Sequence, residues 1–223
     1  MPAPHPRHAF SLIELLAALA VIAILASLVT VGLNKAREKA QMVSCVGRER
    51  TLGAALQAYS LDNQLELLRP RNEATQRWPI LLKAYLGFED LPTGKLYKQP
   101  ILKDPSQEVF SSDAPGIFGY NVELEATEGD DSPIKLESLT RPDRFPLLAT
   151  SDAEDGGGLR LQRYGPPPKA LQLGYAGPTN RFGPSPNYGS KAVFLFADWH
   201  VEAIEVCDNN AWPWNDPEAF EVR

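Results

Sequence analysis

An apolar segment from Phe10 to Leu33 constrains this chain more than any other feature of its sequence. At about 24 residues, a helical segment of this kind can span the hydrocarbon core of a bilayer with some tilt. Glu14 is the only ionisable side chain within it. A carboxylate at the centre of a bilayer costs about 2.5–3.5 kcal/mol on insertion scales, and less near the end of a span. Glu14 is therefore a candidate functional residue whose charge needs a partner.

Two ordinary interpretations of the apolar segment compete with a functional one. The first is a secretory signal peptide, because Ala18-Leu19-Ala20 has the A-x-A form of a signal-peptidase site. Against it, Glu14 interrupts the apolar region, and the apolar run continues past Ala20 as far as Leu33. The second is a plain signal anchor. It explains the length of the segment and leaves Glu14 without a role.

The helical pattern extends well beyond the apolar segment. No proline occurs between Pro6 and Pro70. We therefore predict one helix from Phe10 to about Leu61, roughly 78 Å long at 1.5 Å per residue. Its second half carries an apolar stripe with the spacing of one helix face, which is typical of a packing surface. The stripe consists of Cys45, Leu52, Ala55, Leu56 and Tyr59.

The remainder of the chain predicts a small antiparallel sheet with long loops. The 20 prolines and 16 glycines indicate a loop-rich region. Two apolar runs, 192–197 and 201–206, flank Asp198-Trp199-His200 and predict a hairpin, and 145–150 predicts a further strand. Residues 78–87 predict a short helix with a proline in its first turn and a glycine at its end. The predicted fold class is α+β, a long N-terminal helix packed on this sheet.

Charge and cysteine content exclude some classes of function. The net charge of −6, with no basic stripe to offset it, argues against binding to nucleic acid. Cys45 and Cys207 are too few for a disulfide framework. They leave open either one bridge in an oxidising compartment or two buried thiols.

The sequence shows no convincing catalytic or metal-binding constellation. His200 lies beside Asp198 and could form half of an acid–base pair, but a turn aspartate and a strand-end histidine is the interpretation we favour. Asp152, Glu154 and Asp155 precede three glycines and offer a weak possibility of Ca²⁺ binding. No EF-hand spacing occurs, and a solvated acidic loop fits the pattern better. We predict no cofactor and no enzymatic activity.

The N-terminal segment resembles the prepilin-type cleavage and methylation motif. A short polar leader, Met1 to Ala9, ends in a small residue and is followed by Phe10-Ser11-Leu12-Ile13-Glu14. This order is similar to that of type IV prepilins and of the pseudopilins of type II secretion. The resemblance implies a pilin-like lollipop, cleavage after Ala9, N-methylation of Phe10 and a role for Glu14 in assembly.

The resemblance also implies an orientation in the membrane. Positive charges after the apolar segment would, by the positive-inside rule, place the C-terminal side in the cytoplasm. Prepilins are nevertheless inserted with the leader inside. We therefore expect a single-pass protein of the inner (cytoplasmic) membrane, with its head in the periplasm or at the cell exterior. The expected segments are a leader at 1–9, a transmembrane and filament-core helix at 10–33, its amphipathic continuation at 34–61, and the head at 62–223.

The function implied by the resemblance is that of a structural subunit, a pilin or pseudopilin, of a type II secretion or type IV pilus-like filament. The implied partners are a prepilin peptidase that is also the N-methyltransferase, copies of this chain and other pilin-like subunits, an inner-membrane assembly platform, and membrane lipid. Two alternatives stay open. One is a membrane-anchored binding module that uses its helix only as a tether, and the other is a subunit of a DNA-uptake pseudopilus.

A second, narrower resemblance concerns the predicted hairpin. A group of pilin-like proteins abundant in planctomycetes ends in His, nine residues, then Asp-Gly-His-Val after an apolar strand. Here Tyr188 stands for the first His, and Asp198-Trp199-His200 has Trp in place of Gly. A Gly there suggests a positive φ, which is costly for Trp. The same group often has a Cys at the position of Cys45 and a Cys-Pro-Ser where this chain has Asp104-Pro105-Ser106, so the obvious partner of Cys45 is absent here.

Overall fold

The fold contains one long helix and a small antiparallel sheet, so the predicted α+β class is confirmed. The computed structural model describes residues 12–69, 71–72, 76–106, 118–120, 134–150 and 187–205. The chain divides into two compact units, Met1–Ala40 and Gln41–Arg223. Each unit is described by itself below.

Helix α1 covers Leu12–Asp62, a single element of 51 residues. It ends one residue beyond the predicted boundary. Gln64 and Leu65 follow with φ values of 56° and 64°, a left-handed conformation that an α-helix does not continue through. The Leu65 N–H donates to the Ser60 carbonyl over 2.8 Å, which satisfies one of the free carbonyls at the end of the helix.

A four-stranded antiparallel sheet forms the centre of the second unit. Its spatial order is β3-β4-β5-β6, and β5 and β6 form the predicted hairpin with Lys191 opposite Glu205 and Leu195 opposite Val201. A separate two-stranded ribbon pairs β1 with β2. The strands are β1 (Arg71–Asn72), β2 (Gln76–Arg77), β3 (Gly119–Tyr120), β4 (Pro146–Ala149), β5 (Lys191–Phe196) and β6 (Val201–Glu205).

The predicted apolar stripe of α1 is a packing face. Cys45, Leu52, Ala55 and Leu56 are buried, and Tyr59 is partly buried against the same core. Gly53 shows how closely α1 approaches the sheet, because a Cβ atom added there would lie 2.9 Å from Cδ1 of Leu195 on β5. Aromatic side chains fill much of the remaining core, among them Trp78, Phe118, Tyr120, Phe145 and Phe194.

The helix predicted at residues 78–87 is shorter than expected. Helix α2 covers only Trp78–Leu81, and turns continue from there to Gly87, which has a φ of 71°. The backbone bonds in this stretch alternate between spacings. Lys83 N–H donates to the Ile80 carbonyl three residues back, whereas Leu86 N–H donates to the Leu82 carbonyl four residues back. Mixed spacing of this kind produces consecutive turns instead of one regular helix. Helix α3 covers Thr93–Leu96.

Candidate functional site

The first half of α1 exposes each large apolar side chain that the structure describes there. Residues 12–33 include Leu12, Ile13, Leu15 and Leu16, all of them exposed. The most apolar 18-residue window of α1 has a mean hydropathy of 2.7 and none of it is buried within the protein. Length and composition therefore allow this helix to cross a membrane. An apolar surface of this extent calls for lipid or another protein around it.

Glu14 lies within this exposed apolar surface. It occupies the first turn of α1 and is itself exposed. A negative charge is favoured at this end of a helix, because the first-turn N–H groups carry the positive end of the helix dipole. The two predicted processing residues, Ala9 and Phe10, lie outside the described residues. Of the three predicted N-terminal site residues, the structure therefore places Glu14.

The other predicted site residues lie at opposite ends of β5. Tyr188 forms an isolated bridge with Lys191, where the strand begins. Asp198, Trp199 and His200 form the turn after Phe196, where it ends. Six residues of extended strand separate the two ends by roughly 20 Å. The structure thus does not bring Tyr188 together with the turn, and the two belong to different local arrangements.

The turn keeps the backbone conformation that a glycine would favour. Trp199 has a φ of 71°, and its N–H donates to the Phe196 carbonyl over 2.9 Å. Two further backbone bonds attach the turn to the stretch before β4. Ala197 N–H donates to the Phe145 carbonyl over 2.8 Å, and Asp198 N–H donates to the Pro142 carbonyl over 3.2 Å. Tryptophan therefore occupies a left-handed position that is fixed by its neighbours.

His200 pairs with Asp198 on the protein surface. The His200 Nδ1 atom lies 2.5 Å from Asp198 Oδ1, and the His200 backbone N–H donates to the same oxygen over 3.2 Å. The imidazole ring also stacks on Phe196, with ring centroids 4.4 Å apart and planes at 8°. Both contacts hold the turn together.

Tyr188 belongs to a buried polar cluster that the sequence did not predict as a unit. Its hydroxyl donates to Asp104 Oδ1 over 2.5 Å, and Asn187 Nδ2 donates to Asp104 Oδ2 over 2.6 Å. Ser106 donates to Asp104 Oδ1 through both its backbone N–H and its hydroxyl, each over 2.9 Å. Asp104 thus accepts four hydrogen bonds in a place where it is almost fully buried.

Helix α1 forms the other side of this cluster. Arg48 Nη1 donates to the Lys103 carbonyl over 2.8 Å, and Gln41 Nε2 donates to the Pro105 carbonyl over 3.2 Å. Cys45 lies between these two anchors along the helix, where it is buried and forms no disulfide with any residue that the structure describes. Three positions of the narrower resemblance, Cys45, Asp104 and Tyr188, therefore meet in one place. A carboxyl group, that of Asp104, stands where the narrower resemblance would place a second cysteine.

Burial controls the chemistry of the cluster. It raises the pKa of the Cys45 thiol far above its usual range, and the nearby carboxyl groups of Glu49 and Asp104 raise that pKa further. Burial, followed by Asp104, likewise raises the pKa of the Tyr188 hydroxyl. Both groups stay protonated at physiological pH. Because the thiolate is the reactive form of cysteine, Cys45 is not suited to act as a nucleophile or metal ligand.

Glu49 is a further residue of α1 that belongs to the buried polar cluster. Its side chain is fully buried, and neither of its carboxyl oxygens has a hydrogen-bond partner within the part of the chain that the structure describes. Sequence analysis missed it, although a signal was present. Glu49 lies four residues after Cys45 and three before Leu52, so it falls on the predicted apolar stripe.

Within the described ranges, no group of three or more His, Cys, Asp or Glu residues is arranged to hold a metal ion. The weak calcium prediction at Asp152, Glu154 and Asp155 falls outside those ranges. Cys207, the other cysteine of the chain, also lies outside them.

Comparison with known families identifies the N-terminus. Residues 5–30 match the family model described as the prokaryotic N-terminal methylation motif. The chain carries a prepilin-type N-terminal motif. The matched stretch includes Ala9, Phe10 and Glu14, and with the exposed apolar helix it indicates pilin-like processing and membrane anchoring. No curated protein and no solved structure matches the chain.

Proposed function

We propose that this protein is a structural subunit, a pilin or pseudopilin, of a type II secretion or type IV pilus-like filament. The position of Glu14 carries the proposal. It is a carboxyl group in the first turn of α1, next to the exposed Leu12, Ile13 and Leu15, inside the stretch that matches the methylation motif. A simple membrane tether has no need of a carboxyl group at this place, because the carboxyl group adds to the free-energy cost of membrane insertion.

Processing would supply a cation that can pair with Glu14 of another subunit. Cleavage after Ala9 by a prepilin peptidase leaves Phe10 with a free α-amine, and N-methylation keeps that amine positively charged. Glu14 lies about 6 Å further along a helix that begins at Phe10, by helical rise. The amine of one subunit can therefore meet the Glu14 carboxylate of a neighbour that is displaced by about one helical turn.

In an apolar environment this charge pair fixes the displacement (register) of neighbouring helices along one another. A charge transferred from water to an apolar bundle is strongly unfavourable unless it is paired, and breaking a buried pair costs about 3–5 kcal/mol. Subunits that slide along one another would leave both the carboxylate and the amine without a partner. Assembly in which each Glu14 meets a Phe10 amine is thus favoured over other registers, while the apolar side chains of neighbouring helices pack together.

The remaining parts of the proposal follow from this role. The membrane holds the processed subunit before assembly, an inner-membrane platform adds it to the filament, and other pilin-like subunits are its neighbours. The head would lie in the periplasm or at the cell exterior. It would be carried by the filament as a structural domain, without a catalytic function.

The proposal is tested by removing the charge of Glu14 while keeping its size. Glu14→Gln should still insert into the membrane and be cleaved, whereas its crosslinking into ordered multimers in the native host should fall by at least about tenfold. Tenfold corresponds to 1.4 kcal/mol, well below the cost of breaking a buried pair. Glu38→Gln, which alters an exposed carboxyl group of the same helix, is the matched control and should assemble normally.

A wild-type level of ordered multimers for Glu14→Gln would overturn the proposed register. It would favour a tethered binding module, in which the head recognises a ligand and the helix only holds it at the membrane. Loss of membrane insertion in the Glu14 variant would equally contradict the proposal, because an uncharged residue lowers the cost of insertion.

A further inference from the structure

Of the two buried carboxyl groups that the structure describes, Asp104 accepts hydrogen bonds, whereas Glu49 has no polar contact to offset its burial. It is fully buried, and both of its oxygens lack a hydrogen-bond partner among the residues that the structure describes. An ionised carboxylate in such a place would be strongly unfavourable, whereas the neutral acid carries a much smaller penalty. The geometry alone therefore favours the protonated form of Glu49.

The groups around Glu49 strengthen this preference. Asp104 comes from the segment that docks on α1, where its carboxyl group accepts four hydrogen bonds, and its charge acts on Glu49. On α1 itself, the Arg48 guanidinium donates to the Lys103 carbonyl instead of to Glu49. Cys45 and Tyr188 contribute neutral groups, for which burial keeps the thiol and the hydroxyl protonated.

We propose that Glu49 is a proton-binding site that locks the cluster closed. With Glu49 protonated, the segments Lys103–Ser106 and Asn187–Tyr188 stay docked on α1. When the proton leaves, two adjacent buried anions, Glu49 and Asp104, face each other across this contact. The docked segments then loosen so that water reaches Glu49. The device belongs to the head and does not depend on filament assembly.

Burial, followed by the charge of Asp104, raises the pKa of Glu49 well above its ordinary value of 4.5. The folded protein therefore holds this proton more tightly than the unfolded chain does. The stabilisation is complete below about pH 4.5 and is lost as the pH rises through the pKa of the folded state. Within that window the unfolding equilibrium constant should rise by up to about tenfold per pH unit, since one proton is involved.

Infrared spectroscopy of the full chain in detergent tests the site directly. At pH 7 the wild-type protein should show the carbonyl stretch of a protonated carboxyl group, and Glu49→Gln should lack it. Glu205→Gln removes an exposed carboxyl group on β6 and should leave the band unchanged. A wild-type spectrum without the band at pH 7 would overturn the proposal, whether or not the variant folds.

Hydrogen–deuterium exchange tests the consequence of losing the proton. After correction for intrinsic rates, peptides covering Lys103–Ser106 should lose protection in the wild-type chain as the pH is raised from neutral into the alkaline range. In Glu49→Gln, which cannot ionise, the same peptides should keep their protection. The unfolding midpoint of the variant should also fall less steeply with pH. Equal loss of protection in the two proteins would show that Glu49 does not control the docked segments.

Discussion

The two halves of α1 place their apolar side chains in opposite environments. Before Ala40 the large apolar side chains that the structure describes are exposed, as Leu25 illustrates, whereas after it Leu52 and Leu56 are buried in the core. One continuous helix thus serves two purposes, and the difference lies in what packs against it. The second half finds its cover within the same chain. We propose that the first half finds it in lipid and in neighbouring subunits.

Each half also carries a carboxyl group in an unusual place. Glu14 lies on the exposed apolar surface of the first half, and Glu49 is buried within the second. In our proposals the two are accommodated differently. Glu14 keeps its charge and pairs with the amine of another subunit, whereas Glu49 gives up its charge by holding a proton. Paired residues in the two halves therefore provide matched tests of the comparison.

The largest expected effect comes from truncating one leucine in each half. Leu52→Ala should lower the free energy of unfolding by about 2–5 kcal/mol, because it opens a cavity under a fully buried side chain. Leu25→Ala should change it by no more than about 0.5 kcal/mol, because that side chain is exposed. Denaturation of the full chain in detergent, followed by tryptophan fluorescence, provides the measurement. Similar losses of unfolding free energy in both variants would show that the two halves of α1 do not differ in burial as described.

Two glycines in the second half of α1 test whether only one face of the helix packs against the sheet. Gly47→Ala should stabilise the protein by about 1 kcal/mol, because alanine favours a helix and nothing lies within 4 Å of the added Cβ. Gly53→Ala should lose that gain, since its Cβ would lie 2.9 Å from the buried Leu195 side chain, and overpacking costs about 1–3 kcal/mol. The same denaturation experiment decides the matter. Equal stabilisation by both alanines would mean that α1 does not pack on β5 as closely as described.

A smaller effect is expected at the hairpin turn on the sheet that covers the second half. Trp199→Gly and Trp199→Ala both lose the partial packing of the indole, but only glycine adopts a φ near 71° without strain. Trp199→Gly should therefore be the more stable of the two, by about 1–2 kcal/mol. Thermal unfolding of the two variants side by side is the measurement. If Trp199→Ala is the more stable variant, residue 199 does not have the positive φ described for this turn.

The main elements of the fold could be predicted because their signals are local. The absence of proline up to Pro70 and the stripe from Cys45 to Tyr59 predicted α1 and its buried face. The two apolar runs around Asp198 predicted the β5–β6 hairpin. In each case periodicity within one segment reflects which side chains face the core, so a single stretch of sequence contains the whole signal.

The buried cluster could not be predicted in the same way. Tyr188 and Asp104 are 84 residues apart in sequence, and Cys45 comes from a third segment. Nothing in the local pattern of any one segment indicates that the three meet. Glu49 was missed for a different reason. A glutamate on a helix is usually exposed, and its position on the apolar stripe was the only sign of burial.

The N-terminus of the mature protein tests the central claim most directly. The role of Glu14 depends on cleavage between Ala9 and Phe10, and the membrane helix is retained only if the chain is not cut after Ala20. Intact-mass and N-terminal analysis of protein extracted from membranes of the native host should find a chain that begins with N-methyl-Phe10 and keeps the whole of α1. A chain that begins at Val21, after Ala20, or one that keeps its leader and an unmethylated terminus, would contradict the account.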